Sequence, residues 1–145
     1  MFLKTEPPCL TRPAEIAFVV DHSGSMLGVW PDVKTWLKKA IDGYKIDGIT
    51  RKGGLVVWAG DIKKDQTITF FENKNAADLK AAIDGLPSPT GGTKGGKALT
   101  FTYENLFKTG SDPSALRKIV FLTDGDSTDS MKGPAEQVYI KIAVP

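Results

Sequence analysis

The chain is nearly devoid of the residues that usually carry covalent stapling and proton transfer: it has one cysteine, Cys9, and one histidine, His22, among 145 residues. A single cysteine excludes an internal disulfide. A single histidine beside serines in sequence, with no second base to choose from, makes a poor hydrolytic triad. Excess charge is also lacking. Lys plus Arg number 19 against 17 Asp plus Glu, a net +2, and the lysines are scattered, which argues against nucleic acid or an acidic membrane surface as partner. No apolar run approaches a transmembrane span, so direct membrane insertion is not expected. The first eight residues lack the uninterrupted apolar segment of a secretory signal, so the sequence itself predicts an intracellular chain or a leader outside this stretch. Repeats, low-complexity tracts and internal linkers are absent, and 41% hydrophobic with 25% charged residues is ordinary for one globular domain.

What is present is an alternation of short apolar runs with amphipathic stretches. Ile16-Ala17-Phe18-Val19-Val20, Leu55-Val56-Val57-Trp58-Ala59 and Lys118-Ile119-Val120-Phe121-Leu122-Thr123 have the continuous apolar character of strands buried on both faces. Thr67-Ile68-Thr69-Phe70-Phe71 alternates, which predicts a strand covered on one face, an antiparallel edge made by a hairpin. Helical stripes are expected at Trp30, Val33, Trp36, Leu37, Ala40, Ile41 and Tyr44, at Ala76 to Leu86, and at Ala98, Leu99, Thr102 and Leu106. All three tryptophans, Trp30, Trp36 and Trp58, are expected in the core, with Trp30 the one close to the site. A short helix around Pro134–Val138 and a strand over Tyr139–Val144 complete the series. Strands alternating with helices imply an α/β fold: a doubly wound, mostly parallel sheet with one antiparallel edge strand and helices on both faces. Residues 1–14, with three prolines and no periodicity, read as an extended lead-in to a domain over 15–145.

Chemistry concentrates where two of the buried strands end. The first stops at Asp21-His22-Ser23-Gly24-Ser25, a carboxylate and two hydroxyls at alternate positions, and the run ending at Thr123 stops at Asp124. Open α/β sheets bind ligands in the crevice beyond the carboxyl ends of adjacent strands whose connections wind oppositely. Thr93 lies in Thr90-Gly91-Gly92-Thr93-Lys94-Gly95-Gly96, a loop flexible enough to bring a third hydroxyl to that crevice. Hard oxygen donors in this number suit a small hard cation such as Mg²⁺. His22 is expected as a surface imidazole pointing away from the ligands, and Asp126, Ser127 and Asp129 as solvated turn residues.

On these three elements the chain resembles the von Willebrand factor A domain family over about residues 15–144, with all five positions of that family's metal-ion-dependent adhesion site filled. The resemblance implies that Ser23 and Ser25 bind the cation directly. Thr93 would bind directly in the ligand-competent state, and Asp21 and Asp124 would act through water or hydrogen bonds. It implies Mg²⁺, or Mn²⁺ or Ca²⁺, as the ion, and a protein partner whose Asp or Glu carboxylate replaces a water on it. The module would bind or adhere and not catalyse. Relatives of this kind work in the extracellular matrix and, alternatively, inside cells as subunits of larger assemblies. The family continues beyond a fifth strand with further helix and strand, so the resemblance implies a domain truncated after that strand, or one that another chain or segment completes. Cys9 by itself reads as an inconsequential thiol of the lead-in or as one whose partner lies beyond Pro145. The resemblance implies the second, since members of the family often carry a cysteine just before the first strand that pairs after the final helix, and this tilts the setting toward extracellular or secreted.

Two rival motifs are weaker. Gly91-x-x-x-x-Gly96-Lys97 imitates the phosphate-binding loop of a phosphohydrolase, the enzymatic alternative, but Ala98 stands where the Mg²⁺-binding hydroxyl belongs and Leu86-Pro87-Ser88-Pro89-Thr90 cannot be a central strand. Asp124-x-Asp126-x-Thr128 imitates a calcium loop, but Asp129 replaces its glycine and Ala135 its closing glutamate.

Overall fold

The computed structural model describes residues 12–108, 112, 114–124, 129–130 and 132–135. Cys9, Asp126, Ser127, most of the predicted lead-in and the predicted strand over 139–144 lie outside the described residues, as does part of the short helix expected before it.

The three continuous apolar runs form strands β1 (Ala14–Asp21), β2 (Arg51–Trp58) and β3 (Leu116–Leu122). All pairing among them is parallel, in the order β2-β1-β3. β1 is therefore the middle strand, and every one of its residues is buried. Such a strand has no solvent face, which is why its sequence reads as a solid apolar run. Ala14 already pairs with Arg51, so the strand starts at the last residue assigned to the lead-in.

Side chains of β1 alternate between two cores. Ile16, Phe18 and Val20 pack with α1 (Trp30–Gly43) and α2 (Ala76–Asp84). Ala17 and Val19 point the other way, to α3 (Gly95–Thr102) and the π-type turn Tyr103–Phe107 that extends it. Helices thus cover both faces, and the crevice at the β1/β3 boundary lies where the connections change side. Period two puts Asp21 on the α3 face, following Ala17 and Val19.

α1 begins with Pro31 in its first turn, where a missing N–H costs nothing. It buries Trp30, Val33, Leu37 and Ile41. Trp36 is 48% exposed and does not join the core as expected. It lies one residue from Leu37, about 100° around the helix from it and off the narrow apolar stripe.

The antiparallel edge has the expected sense but is much shorter than the sequence suggests. Ile68 alone pairs with Leu55, through two backbone bonds of 2.8 and 2.9 Å. Immediately after it, Glu72 accepts the Thr69 N–H at 2.7 Å in a reciprocal capping arrangement, which turns Phe70–Glu72 into a 3₁₀ turn. Local side-chain capping ends the strand before alternation can extend it.

Candidate metal centre

The site is built on the carboxyl ends of β1 and β3. Asp21, the last residue of β1, is fully buried, and both its oxygens are engaged. Oδ1 accepts the Ser23 N–H at 2.9 Å, and Oδ2 accepts the Thr123 hydroxyl at 2.9 Å. A carboxylate so committed braces the loop and the neighbouring strand end, and it shapes the site through these bonds more than by offering a free lone pair. Ser23 is buried, while Ser25 reaches the exposed mouth. Their hydroxyl oxygens are 3.0 Å apart, and Ser25 Oγ donates to Asp124 Oδ2. Four of the five predicted residues are therefore joined in one hydrogen-bonded chain.

Thr93 is brought to the same end of the sheet by its backbone. Gly91 O accepts the Gly24 N–H at 3.1 Å, and the Lys94 N–H donates to Ala59 O at 2.9 Å, with the half-buried Thr93 between these two anchors. Gly91 has φ +101°, a conformation that side chains rarely adopt, and this lets its carbonyl turn toward the serine loop.

The donor set suits a hard divalent ion. Oxygens on adjacent octahedral positions of Mg²⁺, at bonds of about 2.1 Å, lie about 3.0 Å apart. The Ser23–Ser25 separation already has that value. Neutral hydroxyls leave most of a cation's charge available to an outside anion. Among the described residues there is no group of three or more His, Cys, Asp or Glu that could hold a metal; the oxygens gathered here are two serine hydroxyls with the Asp124 carboxylate beside them.

Three further residues shape the site beyond the five predicted. Thr123 braces Asp21, as described, and its place at the end of an apolar run was the available signal. His22 is fully buried, which corrects the surface imidazole expected from sequence. Its ring does point away from the hydroxyls: Nε2 donates to Pro87 O at 2.7 Å, Nδ1 accepts from the Lys63 amine, and the ring packs against Trp30 with centroids 4.8 Å apart. Burial holds its pKa below the ordinary 6.5, helped by Lys63 and Lys34 and opposed by the Pro87 carbonyl and Asp21. A neutral ring with one donor and one acceptor nitrogen matches these partners. Asp129, expected as a solvated turn residue, instead accepts the Gly96 and Lys97 N–H groups, each at 2.9 Å. Its carboxylate occupies two amides of the helix terminus that a phosphate would need, and Lys97 pairs with Asp61 at 2.7 Å, which weakens the phosphate-loop imitation.

The family model for the von Willebrand factor type A domain matches residues 15–141. The chain belongs to that family. Among curated relatives, this domain is 32% identical over 141 residues to the collagen alpha-5(VI) chain of Mus musculus, covering 94% of the present chain and 5% of the collagen. Matrilin-1 of Bos taurus is 27% identical over 130 residues, 86% of this chain and 24% of the relative. The domain is thus a small part of the length of these relatives. Among solved structures, proximal thread matrix protein 1 from the mussel byssus superposes with a TM-score of 0.79 at 22% identity, over 90% of this chain and 36% of that one. A further structure of that byssal protein, with the same TM-score and identity, has a zinc-occupied MIDAS motif. The fold is therefore the doubly wound α/β architecture of this family. No helix among the described residues is long and apolar enough to cross a membrane.

Proposed function

We propose that the domain is a metal-dependent protein-binding and adhesion module. Ser23, Ser25 and Thr93 ligate a divalent cation directly, and Asp21 and Asp124 support it through hydrogen bonds or water. Mg²⁺ is the favoured ion, with Mn²⁺ and Ca²⁺ as alternatives. A partner's Asp or Glu carboxylate takes a position otherwise filled by water.

The observation carrying this reading is the Ser23–Ser25 pair at 3.0 Å, with Asp124 on the outer hydroxyl. The byssal protein with zinc in its MIDAS motif supports a divalent ion at the equivalent motif. When bound, the ion supplies an electropositive point that can capture a carboxylate. The chain's own residues do the rest: Asp21 fixes the serine loop, and backbone bonds from Gly91 and Lys94 anchor the loop that carries the half-buried Thr93. Relatives named as collagen chains and matrilin favour an extracellular matrix setting and binding over catalysis.

Calorimetric titration with Mg²⁺ and Mn²⁺ on the domain and on Ser25→Ala tests the ion. A pull-down of matrix proteins with and without chelator tests the capture. Saturable binding lost in Ser25→Ala is expected; equal heats in both proteins would refute the ligand assignment.

A further inference from the structure

Asp124 and Thr93 reach the site from separate elements, one from the end of β3 and the other from the loop before α3. Asp129, five residues after Asp124, takes one backbone N–H on each carboxylate oxygen, from Gly96 and Lys97, at 2.9 Å across 33 and 32 residues of chain. The backbones press together at the same point. A Cβ on Gly96 would lie 2.2 Å from Ser130 O, a main-chain atom that cannot rotate away, so only glycine fits. α3 has no side-chain cap of its own: Lys94, the residue before it, makes no capping bond. The cap is imported from the segment that follows Asp124.

We propose that Asp129 is a positioning residue that locks the Asp124 segment to the Thr93 loop, so that both sides of the cation site are set as one unit. This rests on the metal-site reading above. Two charge-assisted bonds to successive amides at a helix terminus are directional and strong, and they favour the carboxylate at the positive end of the helix dipole. The clamp fixes the start of α3, and Thr93 lies two residues before that start. It equally fixes the chain five residues after Asp124. Loss of the clamp leaves the ligands in place chemically but lets the two sides drift apart. Groups bonded directly to metal ligands typically contribute about 10–100-fold in metal affinity, and Asp129, which acts one step further out through the backbone of Gly96 and Lys97, is placed at the low end of that range.

The test compares Asp129→Ala with Asn75→Ala, which removes a cap of similar kind from α2, where Asn75 Oδ1 accepts the Asp78 N–H at 2.9 Å. Mn²⁺ affinity by calorimetry is expected to fall about tenfold or more in Asp129→Ala and to change less than twofold in Asn75→Ala. Equal affinity in Asp129→Ala and wild type, or an equal loss in both variants, would overturn the clamp. If the wild-type domain binds no Mn²⁺, the metal-site reading falls, and the clamp is then judged on the metal-free protein by amide hydrogen exchange. Faster exchange in Asp129→Ala at Gly96 and Lys97 and also at Thr123 and Asp124 would support it. Acceleration confined to α3, or none, would overturn it.

Discussion

Thr123 Oγ1 donates to Asp21 Oδ2 at 2.9 Å, tying the ends of β1 and β3 together beneath the exposed hydroxyl of Ser25. With Asp21 fully buried, Thr123→Val would remove a donor and leave a carboxylate oxygen unsatisfied in the interior. A loss of about 1–3 kcal/mol in unfolding free energy is expected by urea denaturation. An unchanged midpoint would show that another donor replaces it.

Ser25→Ala should behave in the opposite manner. Ser25 is exposed and makes its polar contacts only at the mouth of the site, so its removal should shift stability by less than about 0.5 kcal/mol. Metal-dependent ligand capture should nevertheless disappear. The pairing of an intact thermal transition with lost Mn²⁺ heat separates a ligand from a structural residue.

Gly91→Ala should weaken both. A side chain at φ +101° is strained by about 1–2 kcal/mol, and the new methyl would sit 3.3 Å from the Ala59 Cβ. The carbonyl that accepts the Gly24 N–H would turn away, loosening the Thr93 loop. Lower urea resistance together with weaker Mn²⁺ binding is expected; loss of neither would mean the loop tolerates the change.

Acid should destabilise the domain through Asp47, far from the site at the start of β2. Desolvation disfavours the ionised carboxylate, but the N–H groups of Arg51, Ile49 and Thr50, all bonded to Oδ1 at 2.8–3.0 Å, outweigh it and hold the pKa below its ordinary 3.8. A depressed folded-state pKa means the contribution is complete above 3.8 and is lost as pH falls through the folded value. Asp47→Asn should therefore flatten the low-pH limb of stability, read as the urea midpoint between about pH 2 and 5. Identical limbs in the two proteins would discount the turn.

Much of the architecture was legible because burial on two faces writes itself into composition. Ile16–Val20 suits a strand buried on both faces, and as such a strand it places the polar residues just after it at its carboxyl end. The grouping of Asp21, Ser23, Ser25 and Asp124 followed from the same logic. What escaped was set by contacts distant in sequence or by short capping interactions. Asp129 meets Gly96 across 33 residues, and no local pattern announces that pairing. His22 is buried because Pro87, Lys63 and Trp30 surround it, three separate segments whose convergence no window reveals. Ile68 pairs alone because Thr69 and Glu72 prefer a turn, a choice decided by side-chain hydrogen bonds and not by alternation.

The double commitment of Asp21 has a physiological corollary. Protein donors already occupy both oxygens of this buried acid, so the scaffold should hold its shape where divalent metal is scarce. Grip on a neighbour would then be conferred later by the ionic composition of the surroundings, and withdrawn by it, while the polypeptide itself stays as it was.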